Sequence, residues 1–144
     1  MSSDAVVDAL DFVAQWEGEA YTFEDYDAFP TYDKNQVFLV DSPSAVQSVV
    51  YIVKRSLPFD ATGDYFKSRL VNFPLGGGFN SRINLNLRED KGITYGANSA
   101  FMGGKTLGWF EVGTDLTAAN TAEGITEVFN EINQYIDKGA TDEE

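Results

Sequence analysis

Histidine and cysteine are both missing from this 144-residue sequence. Without imidazole or thiolate ligands, the chain cannot form the zinc sites that are built on those side chains. A Ser-His-Asp triad, a cysteine nucleophile and a disulfide are excluded for the same reason. Whatever chemistry this chain serves, it does so without the most common reactive side chains.

Positive charge is also scarce, with 10 basic residues against 23 acidic ones and a net charge of −13. Such a chain repels the phosphate backbone, so we expect no nucleic-acid partner. The acidity is consistent with simple solubility. No apolar run approaches the length of a membrane span, and the N-terminus lacks the basic start and apolar block of a secretory signal.

The apolar content of 43% is enough for one folded domain. We interpret residues 1–34 as a helix followed by an acidic and aromatic linker, and residues 35–144 as an α+β domain. Asp4 is the expected N-cap of the first helix, over residues 4–16, and Gly18 its stop. The linker rings are expected to pack on a neighbouring surface, with a peptide-binding patch as the alternative. The charged end, "DKGATDEE", looks like a cut made in a longer protein.

The hydrophobic pattern of residues 35–144 predicts four strands and three helices in the order β-β-α-α-β-β-α. The strands are expected over 36–41, 45–53, 94–102 and 107–114, and the helices over 60–73, 80–90 and 122–138. Glycines 103 and 104 indicate a hairpin between the last two strands. Strands in hairpin pairs with helices between them favour an antiparallel sheet with helices packed on one face.

Each predicted helix has its own boundary signals and apolar face. The expected caps are Asp60 or Thr62, then Asn80 or Ser81, then Thr117 or Thr121, and the expected ends are Pro74 for the first helix and Lys138 with Gly139 for the last. The residues expected to face the core are Phe66, Leu70 and Phe73, then Ile83, Leu85 and Leu87, then Ala122, Ile125, Val128, Phe129, Ile132 and Ile136.

Three consecutive glycines, Gly76, Gly77 and Gly78, follow the first of these helices. A phosphate-binding loop is disfavoured, because no lysine follows and the chain is acidic. A tight connection between helices fits better, since glycine permits positive φ and close backbone approach. Taken singly, Arg88 at a helix end and Tyr95 at a strand start are typical of structural roles.

Taken together, the stretch "LGGGFNSRINLNLREDKGITYG", residues 75–96, resembles the hallmark of the insulinase/pitrilysin-type zinc metallopeptidases, which include mitochondrial processing peptidase. That hallmark is a glycine-rich turn, a helix ending in Leu-Arg-Glu, then Lys-Gly and a Tyr-Gly strand. The flanking segments "VFLVDSPSAVQSVVYIV" and "DALDFVAQWEGE" are similar to the family's entry strands and preceding helix. Nearly the whole chain is covered, and Pro74 is a mild departure next to the motif.

The resemblance implies a peptidase made of two halves that close around a peptide substrate. The zinc ion and the His-x-x-Glu-His motif belong to the other half, in the same polypeptide or a partner subunit, because this chain has no histidine. The family's arginine and tyrosine, seven residues apart, fall on Arg88 and Tyr95. The resemblance implies that Arg88 contacts substrate carbonyls, that Tyr95 donates to the oxygen polarised by zinc, and that the glycine turn sets the two side by side.

Two alternatives stay open at the level of sequence. The domain could be a non-catalytic scaffold or interaction domain of the same family, in which Arg88 and Tyr95 persist without a catalytic role. It could also be an unrelated acidic binding module, if the motif match were accidental. In every case the chain itself is expected to hold no metal, since carboxylates such as Glu89, Asp90, Glu111 and Asp115 would attract divalent cations only loosely.

Overall fold

The computed structural model describes residues 2–22 and 32–144. The chain divides into two compact units, Met1–Val40 and Asp41–Glu144. The first contains two short helices, and the second contains a sheet with helices on one face. None of the helices in the described ranges has the length and apolar character needed to cross a membrane.

The first unit contains two helices where the sequence predicts one. Helix α1 spans Ser3–Ala9 and helix α2 spans Asp11–Ala14, with a break at Leu10. The N-cap is Ser2, whose hydroxyl accepts a hydrogen bond from the Ala5 N–H, so the expectation of Asp4 as cap was wrong. The residue just before a helix is placed so that its side-chain oxygen can accept a hydrogen bond from a free N–H group of the first turn. The helices end before Gly18, and residues 23–31 of the predicted linker lie outside the described residues.

The first predicted strand, residues 36–41, is not a strand in the structure. Its apolar side chains from Val37 to Val40 are 85–92% exposed. The β-branched composition that suggested a strand is compatible with extended backbone, but a strand also needs a hydrogen-bonded neighbour. No such neighbour is found for this segment within the described residues, so the predicted order loses its first element.

The second unit is built on a three-stranded antiparallel sheet. Strand β1 spans Gln47–Ser56, β2 spans Thr94–Gly103 and β3 spans Gly108–Thr117, with β3 in the middle. The predicted hairpin between β2 and β3 is confirmed, and its four-residue loop is closed by a bond from the Gly104 N–H to the Leu107 carbonyl. The α+β class, with helices on one face of an antiparallel sheet, is therefore confirmed.

Helix α3 spans Asp64–Asn72 and begins after Gly63, without a side-chain cap. Asp60 instead accepts a bond from the Thr62 N–H ahead of the helix. Pro74 does not end the helical path, because a π-helical turn, Phe73–Gly77, continues through it. The proline is the second residue of that turn.

The side of α3 that packs on the sheet is not the predicted one. Phe66, Leu70 and Phe73 are largely exposed, while Tyr65 and Asn72 are buried. The Tyr65 hydroxyl and the Asn72 amide both bond to backbone carbonyls of β2, which satisfies these polar groups inside the protein. Hydrophobic spacing was misleading here, because hydrogen bonds to the strand decide which side faces inward.

The next helical stretch combines α4, Arg82–Asn84, with a second π-helical segment, Leu85–Asp90. Ser81 stands at the N-cap position as one of the two expected residues, although its hydroxyl makes no capping bond. Ile83 and Leu87, four positions apart, are 0% and 1% exposed, while Leu85 lies on another side and is partly exposed. The expectation that Leu85 is buried was therefore wrong.

The last helix, α5, spans Thr121–Lys138 after a 3-10 turn, Ala118–Asn120. Its cap is Asn120 rather than either expected threonine, and it ends as predicted at Gly139, which has a φ of 71°. Phe129, Ile136 and Ala122 of the predicted stripe are exposed, whereas Val128 and Gly124 are buried, and Gly124 lies directly against Leu116 of β3. The core that results contains Leu75, Ile83, Leu87, Ile93, Ala97, Val112, Leu116 and Val128.

Candidate functional site

The three glycines of the turn lie where the helices meet β2. A Cβ atom at Gly76 would stand 2.1 Å from the Ser99 Oγ and 2.7 Å from the Ser99 backbone nitrogen. At Gly78 it would stand 3.1 Å from the Phe73 ring, and at Gly77 it would stand 3.3 Å from Asn72. Gly78 has an extended backbone with a φ of −123°, and the positive-φ glycines of the described residues are elsewhere in the chain. Close approach, not unusual φ, is thus what the turn requires of glycine.

Arg88 lies near the end of the second π-helical segment and is half-buried. Its guanidinium carbon is 4.6 Å from the centre of the Phe79 ring and 5.2 Å from the centre of the Tyr95 ring. The carboxylate partner is the neighbouring Glu89, 3.3 Å from the Arg88 Nε. Contacts with two ring faces hold the cation by its electrostatic attraction to each ring, which leaves several N–H donors for other groups.

Tyr95 is the second residue of β2 and is 85% exposed. Within the described part of the chain, its hydroxyl has no hydrogen-bond partner, and its ring lies against the Arg88 guanidinium. The structure therefore brings together the two residues that the sequence singled out, and it leaves the tyrosine hydroxyl available as a donor. We call Phe79, Arg88 and Tyr95 the arginine stack.

A shallow depression of about 420 Å³ runs from the glycine turn to the arginine stack. Two of the residues along it were not anticipated from the sequence. Phe79 supplies the ring beneath Arg88, and Asn84 is a buried amide bonded to both the turn and β2. Phe79 falls within the family motif, but its place under Arg88, like the bonds of Asn84, depends on contacts across the fold that no local pattern indicates. The depression is lined by Gly76, Gly77, Gly78, Phe79, Asn84, Arg88, Tyr95, Gly96, Ala97 and Asn98.

The donor set of this chain does not fit a zinc site. The sequence has neither histidine nor cysteine, and no group of three or more possible metal ligands occurs among residues 2–22 and 32–144. The four carboxylates named above do not gather into one. Zinc in proteins is held by several converging ligands, most of them imidazole or thiolate. The site is accordingly built from hydrogen-bond donors and ring faces rather than metal ligands.

The fold and this site, which is rich in hydrogen-bond donors, define a class of domain that does not bind metal. Comparison with known proteins identifies the family. The family described as peptidase M16 inactive domain matches residues 5–144. The chain belongs to this family. The resemblance to insulinase/pitrilysin-type peptidases, and specifically to a domain without zinc, is thereby confirmed. No curated protein sequence matches the chain significantly.

Solved structures are also similar to it. One is a peptidase M16 inactive domain from Pseudomonas fluorescens, 27% identical, with a TM-score of 0.64 over 69% of this chain and 24% of that chain. Another is a conserved protein from Enterococcus faecalis V583, 18% identical, with a TM-score of 0.60 over 68% of this chain and 23% of that chain. The second supports the fold alone. The chain spans about a quarter of the length of the structures it matches.

Proposed function

We propose that this chain is the substrate-facing, zinc-less domain of a zinc-dependent peptidase. The zinc ion and the His-x-x-Glu-His motif would belong to a catalytic half, in the same polypeptide or in a partner subunit. The observation that carries the proposal is the arginine stack, which presents an exposed tyrosine hydroxyl and a half-buried arginine at one end of a depression. Membership of the family supports it.

The role proposed for Tyr95 follows from the chemistry of peptide hydrolysis. Attack on an amide carbonyl builds negative charge on its oxygen, and a fixed donor aimed at that oxygen lowers the barrier. A bound zinc ion would supply the activated water and polarise the carbonyl. The Tyr95 hydroxyl has no competing partner in the described residues, so it can donate to that oxygen once substrate is present.

The role proposed for Arg88 is to hold the substrate backbone. Its guanidinium is fixed by two ring contacts rather than by a strong carboxylate pair, so its N–H groups can reach peptide carbonyls in the depression. Such contacts are made to bound substrate as well as to the transition state. Arg88 would therefore contribute mainly to affinity, and Tyr95 mainly to turnover.

The test is a peptidase assay on the full-length protein together with its catalytic half. We expect activity that a chelator removes and zinc restores, and that falls in Tyr95→Phe without loss of zinc or of folded protein. If the full-length protein binds peptides but cleaves none at any zinc concentration, the domain serves as a scaffold. Full activity of both Tyr95→Phe and Arg88→Ala would contradict the assignment of these two residues.

A further inference from the structure

Strand β2 has an irregularity at the residue proposed to act on substrate. Thr94 pairs with Leu116 and Ala97 pairs with Thr114, so β2 advances three residues while β3 advances two. Tyr95 and Gly96 together therefore oppose Asp115. This is a β-bulge, and bulges bend a strand and re-aim the side chains at the extra residue.

Hydrogen bonds of the Thr94 and Thr114 hydroxyls stabilise the bulge. The Thr94 Oγ1 lies 2.7 Å from the Asp115 carbonyl oxygen and accepts a bond of 3.1 Å from the Gly96 N–H. The Thr114 Oγ1 donates to the Gly96 carbonyl at 3.1 Å. With one hydrogen on each hydroxyl, these three bonds form a consistent set that satisfies the backbone groups displaced by the extra residue.

Asn84 connects this bulge to the glycine turn. Its side chain is buried, with the residue 4% exposed, and its Oδ1 accepts a bond of 2.9 Å from the Ala97 N–H, directly after the bulge. Its Nδ2 donates to the Phe79 carbonyl at 2.7 Å. Phe79 lies under Arg88, so one amide group ties together the backbone on both sides of the arginine stack.

We propose that Asn84 and Thr94 are positioning residues that aim the Tyr95 hydroxyl by fixing the bulge in β2. Neither residue belongs to the arginine stack itself, and both act through the backbone on either side of Tyr95. The proposal rests on the proposed function of Tyr95 for its effect on catalysis. Its structural content, that the ring direction depends on the Asn84 and Thr94 bonds, can be measured without any activity.

The first measurement is spectroscopic. In the full-length protein, 3-fluorotyrosine placed at position 95 gives a fluorine NMR signal that reports the surroundings of this ring. We expect Asn84→Ala and Thr94→Val each to shift and broaden that signal. The matched controls are Asn72→Ala, which removes another buried asparagine bonded to β2, at Ser99, and Thr126→Val, which removes a hydroxyl of α5. The controls should leave the signal in place.

The second measurement is kinetic, with rates expressed per folded molecule. Asn84→Ala and Thr94→Val should lower turnover about 10- to 100-fold, the scale of a small misplacement of a reacting group, with little change in KM. Thr94→Ser, which keeps the hydroxyl, should restore most of the turnover. Combined with Tyr95→Phe, either variant should cause little further loss, because both act through the same hydroxyl.

The outcomes of these two measurements distinguish failure of the positioning role from failure of the proposed function on which it rests. If Tyr95→Phe keeps full turnover, the proposed function fails, and the fluorine signal alone decides whether Asn84 and Thr94 set the ring direction. If the signal is unchanged in both variants, the positioning role is overturned whatever the kinetics. It is also overturned if the losses from Asn84→Ala and Tyr95→Phe multiply. Thr94→Val keeps the shape of the side chain, so it serves as the test if Asn84→Ala does not fold.

Discussion

Two arginines six positions apart, Arg82 and Arg88, both lie over aromatic rings but end in different surroundings. Arg82 is 4.9 Å from the centre of the Tyr135 ring and forms two bonds of 2.6 Å to the Glu144 carboxylate. It also donates to the Gly139 carbonyl. Arg88 has two rings and the weaker pair with Glu89. We call Arg82, Tyr135 and Glu144 the carboxylate latch.

The difference shows how to separate a structural arginine from one that faces a ligand. In the latch, a bidentate carboxylate and a backbone carbonyl accept three hydrogen bonds from the guanidinium, and the Tyr135 hydroxyl donates to the Val71 carbonyl. In the arginine stack, the cation is placed by ring faces and the tyrosine hydroxyl has no partner among the described residues. The Arg82 guanidinium is thus held by strong acceptors within the domain, whereas the Arg88 guanidinium is held mainly by ring faces.

The largest expected effect distinguishes the two tyrosines. Tyr95→Phe should lower turnover of the full-length enzyme about 10²-fold, the scale of losing one donor to the developing oxyanion. The matched change Tyr135→Phe should leave turnover per folded molecule intact, and it should lower the free energy of unfolding by about 1 kcal/mol through loss of its bond to Val71. Steady-state kinetics and urea unfolding of both variants make the comparison. Equal effects of Tyr95→Phe and Tyr135→Phe on turnover would contradict the distinction between the arginine stack and the carboxylate latch.

The next effect concerns the glycine turn beside the arginine stack, where substitutions should lower the free energy of unfolding. Gly76→Val should destabilise the domain by about 1–3 kcal/mol, because its Cβ would collide with the Ser99 backbone, which cannot swing aside as a side chain can. Gly78→Ala should cost less, since its Cβ meets only the edge of the Phe73 ring. Urea unfolding measures both. A wild-type midpoint for Gly76→Val would mean that the turn does not pack on β2 as described.

The two arginines give a third contrast. Arg88→Ala should raise KM roughly 10-fold, the size expected when one charge-assisted hydrogen bond to substrate is lost. Its stability should stay near that of the wild type. Arg82→Ala should show the reverse, with KM unchanged and the free energy of unfolding lowered by about 1 kcal/mol. This loss is small because the ion pair with Glu144 is partly exposed to solvent. Kinetics and unfolding of the two variants decide, and a raised KM in Arg82→Ala would contradict the contrast.

The smallest effect concerns pH and belongs to the latch. The hydrogen bonds from Arg82 hold the pKa of Glu144 at about 2, below its usual value of 4.5. A carboxylate with a lowered folded-state pKa stabilises the protein above its unfolded-state pKa. That contribution is lost as pH falls from about 4.5 to 2. The loss should be about 1 kcal/mol after allowance for solvent screening.

Unfolding measured across this range in the wild type and in Glu144→Gln provides the check. The variant should be less stable at neutral pH, and the difference should vanish near pH 2. A constant difference at all pH values would mean that the Glu144 charge does not act through Arg82. Arg88→Ala serves as a control, because it leaves the latch intact and should keep the wild-type pH dependence.

Local signals in the sequence were sufficient where neighbours along the chain determine the structure. The β2–β3 hairpin and the end of α5 at Gly139 follow from short-range turn chemistry. Arg88 and Tyr95 were identified in a different way, by the resemblance of residues 75–96 to a family motif. Only the hairpin and the end of α5 follow from neighbouring residues alone.

Contacts between distant residues explain what the sequence could not predict. The strand expected at 36–41 has no partner within the described residues, and the inward side of α3 is set by bonds from Tyr65 and Asn72 to β2. The two π-helical segments and the bulge at Tyr95 likewise leave no local pattern. Hydrophobic periodicity describes one element at a time, whereas these features depend on which element lies opposite.

The close packing of the glycine turn on β2 also constrains motion. Gly76 leaves no space above Ser99, Asn72 bonds to Ser99 by two hydrogen bonds, and Asn84 fastens Ala97 to Phe79. Hinges in proteins are placed at a few loop residues, and these contacts leave none where the turn packs on β2; Gly92, which has open space around it, lies outside them. In any movement of the domain, we expect the glycine turn and the part of β2 on which it packs to travel as one body. The position of the turn on β2 is then preserved throughout the movement, and any bending must occur in other segments, such as the open backbone around Gly92.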